Sequence, residues 1–168
     1  MPEHFYDRTI KLLESRGVTK RDFVDLVIFL QKDYIKTLTP EMIYESLDLV
    51  LRKREVQNAI MTGIQLDLLA EEKKLFSPLQ EIIEKDEGLY GIDEVMSFSI
   101  TNLYGSIGFT NYGYIDKVKP GILAILNDKS TGKVNTFLDD IVGAIAAATA
   151  SRLAHKNPKL EDDNIYSN

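Results

Sequence analysis

The chain has 168 residues, 44% of them hydrophobic and 27% charged, with a formal net charge of −6. Those values suit one domain with a full apolar core, and the acidic balance argues against a general nucleic-acid binder, which carries a basic face. Cysteine is absent and histidine occurs only at His4 and His155. That excludes disulfides, thiolate zinc sites and a cysteine nucleophile, and leaves little for a Ser-His-Asp triad. No apolar run reaches the roughly 20 residues of a membrane span. The start, "MPEHFYDRTIKLL", lacks the basic-then-apolar layout of a signal peptide. A cytoplasmic protein is expected.

In chain order, Phe5 to Ser15 carries apolar residues at helical spacing and is stopped by Gly17. "VTKRDFVDLVIFLQKDY" predicts a second helix with Thr19 as N-cap and Asp22 in capping-box position. "LTPEMIYESLDLVLRKREV" predicts a third, capped by Thr39, with Pro40 in the first turn where a missing N–H costs nothing. The pattern continues through "VQNAIMTGIQLDLLAEEKK", so either the third helix bends near "RKRE" or a fourth begins there.

"SPLQEIIEKDEG" predicts a short helix capped by Ser77 and closed by Gly88, and "GIDEVMSFSITNLYG" another that runs to Gly105. "SIGFTNYGYIDKVKPG", rich in Gly and Asn, reads as a connection. A short "ILAIL" helix, a turn at "NDKSTGK" and the last helix, "FLDDIVGAIAAATASRLA", complete the chain. Nothing alternates convincingly at strand period. The expected fold is all-α: a bundle of about six helices with the Ala-rich C-terminal helix at its centre, since a helix that is apolar all round belongs inside. Residues 1–158 form a single helical domain on this reading, and 159–168 an acidic tail.

Acidic residues gather at three helix starts or ends: Asp93 and Glu94 in "GIDEV", Asp116 in "YIDKVKP", and Asp139 and Asp140 at the head of the last helix. A single acid there is an ordinary cap or a partner for the helix dipole. One cap suffices per helix, however, and two of these sites carry doublets whose members point about 100° apart. Buried unpaired carboxylates are expensive and repel one another, and a divalent cation relieves both costs. An all-oxygen donor set selects a hard cation, Mg²⁺ or Mn²⁺. Two polar stripes, Asp93–Ser97–Thr101 and Asn58–Thr62–Gln65, either hydrogen-bond between helices or line a polar cavity. "YGSIGFTNYG" fits neither phosphate-loop spacing and reads as a tight turn, with Lys117 and Lys119 just beyond it. "LRKRE" reads as a solvated basic face.

The order I-D-E-V, then I-D-K-V-K-P-G, then F-L-D-D-I-V-G-A resembles the phosphatidylglycerophosphatase A family. There a W-D-E-x-V-G segment precedes an L-D-x-x-K-P segment, and D-D-x-x-A-G closes the site. The match covers Tyr90 to Ala150, and the chain is similar to the soluble branch found in Gram-positive bacteria. The resemblance implies a helical bundle around a central helix and Mg²⁺-dependent removal of the terminal phosphate of phosphatidylglycerophosphate. It assigns metal binding and catalysis to Asp93, Glu94, Asp116, Asp139 and Asp140, and stabilisation of developing charge to Lys119. The early P-G-T-x-G-S segment of membrane-embedded members is missing. The Asn58 stripe or the "YGSIGFT" segment is then expected to supply phosphate contacts, and the substrate is a phospholipid or a related soluble ester. Membrane contact is expected to be at most peripheral, and a homo-oligomer is one expected arrangement. Two other classes compete: a non-catalytic bundle whose acids bind a structural or regulatory cation, and a homo-oligomeric bundle with no metal.

Overall fold

The computed structural model describes residues 2–156; the predicted acidic tail lies outside them. Nine α-helices occur among the described residues, in the order α1 (Pro2–Ser15), α2 (Lys20–Gln31), α3 (Pro40–Leu51), α4 (Arg54–Glu71), α5 (Leu79–Lys85), α6 (Ile92–Thr101), α7 (Ser106–Val118), α8 (Ile122–Leu126) and α9 (Leu138–Lys156). Short 3-10 turns occupy Asn102–Tyr104 and Lys129–Thr131. The fold is an all-α bundle, as the periodicity implies. No helix among the described residues is long and apolar enough to cross a membrane.

Local chemistry sets several helix starts. The Thr19 hydroxyl accepts from the Asp22 N–H while the Asp22 carboxylate accepts from the Thr19 N–H at 2.7 Å, a complete capping box for α2. Thr39 caps α3 through the Met42 N–H, with Pro40 in the first turn.

Three expectations need correction. The helix count exceeds six partly because a turn at Arg52 and Lys53 separates α3 from α4. The Gly- and Asn-rich stretch expected as a connection is α7 itself. Helix propensity there is poor, but burial of Tyr112 and Ile115 against α9 overrides it. Finally, Ser77 does not cap α5. The helix begins at Leu79, the Ser77 hydroxyl donates to the Glu81 carboxylate, and the C-terminal turn closes at Asp86 rather than Gly88.

α9 is buried from Leu138 through Ser151 and packs on α2, α3, α4, α6, α7 and α8. Its small side chains permit close approach. At Gly63 of α4 an added Cβ would lie 2.3 Å from Ile141 Cδ1 and 3.1 Å from Phe137 Cβ.

The segment that feeds α9 is pinned from several sides. The buried Arg16 guanidinium, just after α1, pairs with Glu71 of α4 and donates to the Val134 carbonyl at 2.8 Å and to Asn135 Oδ1 at 2.9 Å. Glu71 in turn accepts from the Val134 N–H. Asn135 donates to the Leu126 carbonyl and Thr136 to the Ile83 carbonyl. Asp67, one turn before Glu71 on α4, accepts from the Phe137 and Leu138 N–H groups at 3.1 and 3.0 Å. The N-terminus of α9 is therefore capped from another helix.

Candidate active site: an acidic cavity at the head of α9

Five pieces of chain meet where α9 begins. α6 brings Asp93 and Glu94 in its first turn, α7 brings Asp116 and, as the cap just past its end, Lys119, and α9 brings Asp139 and Asp140. The residues between α5 and α6 supply Asp86, Glu87 and Gly88, and Asn127 follows α8. These ten residues line one cavity of about 160 Å³. The six positions singled out in the sequence thus share one concavity, together with two further acids and one amide that no motif marked.

Asp93, Asp139 and Asp140 are 8%, 6% and 6% exposed, whereas Glu94 is exposed and Asp116 half-buried. The Lys119 ammonium lies between two of them, donating to Asp116 Oδ1 at 2.9 Å and Asp139 Oδ2 at 3.2 Å. The Asp140 N–H donates to Asp139 Oδ1 at 2.8 Å. Seven carboxylates face one ammonium in this lining.

The electrostatics follow from that imbalance. Asp140 is held far above the ordinary carboxylate range, by burial first and then by the charges of Asp139, Asp93 and Asp116. Burial also raises Asp139, against the pull of Lys119. Desolvation works against the Lys119 ammonium, but Asp139 and Asp116 outweigh it and hold that group above its usual value. The Tyr112 phenol, buried on α7, is raised by burial and then by Asp140 and Asp116. Backbone strain gathers here too. Of the three non-glycine residues with positive φ among those described, Asp86 and Lys119 both line the cavity.

As a test of fit for a hard divalent cation, the donor chemistry is right: oxygen only, with charge in excess. The side chains as they stand do not form a cage. No group of three or more His, Cys, Asp or Glu among the described residues is arranged to hold a metal ion. Lys119 instead neutralises Asp116 and Asp139 directly. Asp93, Glu94, Asp116, Asp139 and Asp140 share one cavity, with the Lys119 ammonium between Asp116 and Asp139.

The polar stripes separate. Asp93, Ser97 and Thr101 are buried, with the Ser97 hydroxyl donating to the Asp93 carbonyl at 3.1 Å. Asn58, Thr62 and Gln65 face solvent on α4 and take no part in the cavity. "YGSIGFT" runs from the last residue of the 3-10 turn into the start of α7 and is not a phosphate loop. Sequence reasoning missed Asp67, an acid flanked by leucines on an apolar helix. Its one signal was Glu71 a turn later on the same face.

Fold and cavity together define a class: an all-α bundle with an acid-rich, oxygen-donor cavity where the buried C-terminal helix begins. The model of the family described as phosphatidylglycerophosphatase A matches residues 16–155. The chain belongs to the phosphatidylglycerophosphatase A family, in the branch found in Gram-positive bacteria. It is 65% identical to the uncharacterized protein YutG of Bacillus subtilis (strain 168) over 144 residues, covering 86% of this chain and 87% of that one. Among solved structures it is similar to the low temperature requirement C protein of Listeria monocytogenes, with 58% identity, a TM-score of 0.89, and coverage of 92% and 97% of the two chains. It is likewise similar to protein ypjQ of Bacillus subtilis, with 48% identity, a TM-score of 0.90, and coverage of 95% and 99%.

Proposed function

We propose that the chain is a cytoplasmic, metal-dependent phosphatase that hydrolyses a phosphate monoester, phosphatidylglycerophosphate or a related ester, in phospholipid metabolism. The observation that carries this reading is the shared cavity of Asp93, Glu94, Asp116, Lys119, Asp139 and Asp140. A phosphate monoester is anionic and would be repelled by seven carboxylates facing one ammonium. Mg²⁺ or Mn²⁺, when bound, reverses that balance and supplies Lewis-acid polarisation of a phosphoryl oxygen.

The protein's own groups do the rest. Asp93, Glu94, Asp116, Asp139 and Asp140 are the oxygen ligands on offer, directly or through water. Lys119 is the group that meets phosphoryl oxygens once released from Asp116 or Asp139, and it stabilises charge developing on them. The buried faces of α6, α7 and α9 hold these side chains on rigid elements and limit water around them.

The test is release of phosphate by the purified chain from phosphatidylglycerophosphate and from soluble monoesters, with Mg²⁺ or Mn²⁺. Release that needs the metal and is lost in Asp139→Asn/Asp140→Asn supports the reading. No release across all esters and both metals sinks it. The pairing of Lys119 with Asp116 and Asp139 favours one second reading, a non-catalytic bundle whose remaining acids bind a structural or regulatory cation. A metal-induced rise in melting temperature without turnover is its signature.

A further inference from the structure

The end of α2 and the first half of α7 border a cleft that shares no residue with the acidic cavity. It has two lobes, of about 400 and 260 Å³, joined through Tyr34, Thr110 and Asn111. Both are larger than the cavity at the head of α9, and the first reaches the size of a small-molecule site.

Two amides in this cleft lack partners. Gln31, the last residue of α2, is 3% exposed, and its Oε1 has no hydrogen-bond partner among the described residues. Asn111 of α7 has a buried Nδ2 in the same condition. One atom is an acceptor and the other a donor, and both residues line the smaller lobe. Buried polar groups are paired almost without exception, so two orphans on the two sides of one cleft call for a reason. The fold supplies none, since neither atom caps a helix or ties down a loop. Terminal amide torsions are broad, so each amide can turn its donor or acceptor into the cleft that its residue lines.

The walls narrow the chemistry further. Tyr34 is 59% exposed, and Tyr114 of α7 is 55% exposed while stacked on Phe29, with ring planes 7° apart and centroids at 5.8 Å. Flat aromatic surface therefore stands open beside the amides. The lining has two charged residues, Lys32 and Asp33, adjacent and opposite in sign. The cleft favours no ion.

We propose that this cleft binds an uncharged nucleoside through its base. A base edge that sets an amino N–H beside a ring nitrogen offers a donor for one amide and an acceptor for the other. Asn and Gln read adenine through such an edge, and bases stack on aromatic side chains. A phosphate group gains nothing from a lining without net charge on a chain of −6. A polyol also carries donors and acceptors, but it loses more freedom on binding and has no flat face to stack on the rings. The proposal is independent of whether the acidic cavity is catalytic.

The experiment is saturation-transfer NMR and calorimetric titration of the full chain with adenosine, guanosine, cytidine and uridine, with glycerol and glucose as controls. Adenosine is expected to bind, and Gln31→Met and Asn111→Ala each to weaken it at least about tenfold. Tyr34→Ala, at an exposed position, should weaken it by about threefold or more. Removing an orphaned amide breaks no bond in the free protein, so Gln31→Met and Asn111→Ala should melt at the wild-type temperature or above it. No binding of any of the four nucleosides at about 5 mM overturns the proposal. So does nucleoside binding that survives both amide substitutions. Lower melting temperatures in both variants show that the amides serve the fold, and overturn it too. Glycerol or glucose binding that depends on the same amides overturns it in favour of a polyol.

Discussion

Asp67→Ala is the most searching substitution for the way this fold holds its cavity. Asp67 is fully buried and accepts from the Phe137 and Leu138 N–H groups, the two that open α9 immediately before Asp139. Alanine leaves both donors without a partner in a site too closed for water to replace it. Each buried unpaired N–H costs about 1–3 kcal/mol, so the expected loss is about 3–5 kcal/mol at pH 5. For a chain of this size that lowers the melting temperature by roughly 10–15 °C. The pH dependence provides a second, independent check. Burial pushes the Asp67 carboxyl up to about 8 from 3.8, against its two backbone donors and Arg16. A raised folded-state value means that Asp67's contribution is fully present below the unfolded value and is lost as pH rises toward 8. The stability gap between wild type and Asp67→Ala should therefore shrink between pH 4 and 8, by at most about 1.4 kcal/mol per pH unit, and stay flat above. Chemical denaturation at pH 5, 7 and 9 measures both effects. A gap under about 1 kcal/mol at pH 5, or one that widens with pH, would refute the capping argument.

Asp140→Asn removes a buried carboxylate raised by its own burial and by three neighbouring acids. Its metal-free melting temperature should rise, while Mg²⁺-induced stabilisation falls and phosphate release drops by at least about tenfold. Gly63→Ala places a Cβ 2.3 Å from Ile141 Cδ1 and 3.1 Å from Phe137 Cβ; the buried Ile141 tip must move aside and Phe137 must give slightly, and denaturant titration should show a loss of about 1–3 kcal/mol. Arg16→Met strands Glu71 and the Val134 carbonyl in a largely buried site, at about 3–5 kcal/mol by the same measurement, whereas an exposed pair such as Arg21–Asp25 should tolerate Arg21→Met with little change.

Much of this architecture was written in local sequence. The caps at Thr19 and Thr39 and the apolar Ile141–Ala150 run needed nothing beyond neighbouring residues. α7 was invisible for the opposite reason. Its Gly108, Asn111 and Gly113 disfavour a helix, and only contact with α6 and α9 pays for one; an added Cβ at Gly108 would press on the Thr101 carbonyl at 2.9 Å. The acids were legible because doublets exceed the need for caps. Which acids would be neutralised, and by what, depended on the direction in which Lys119 leaves α7. Asp67 had no local signal beyond Glu71 a turn later, since what it satisfies lies 70 residues along the chain.

The end of α7 shows why lysine, and not glycine, stands before Pro120. Proline disfavours helical geometry at the preceding residue, so the helix must stop at position 119. It stops in the left-handed conformation, φ 48° and ψ 57°, with the Lys119 N–H held by the Ile115 carbonyl at 2.8 Å. Glycine adopts that conformation without cost, whereas any other residue is strained by roughly 1–2 kcal/mol. What lysine adds is the ammonium. The reversal of the chain turns it back across Asp116, one turn earlier, and onto Asp139 of another helix. Capping of α9 is meanwhile shared: Asp67 takes the Phe137 and Leu138 N–H groups, and Asp139 takes that of Asp140. Asp139 meets the lysine as well as the Asp140 N–H, and Asp140 faces Asp93 and Asp116, so the two carboxylates at the head of a buried helix line the cavity as well as serving the helix.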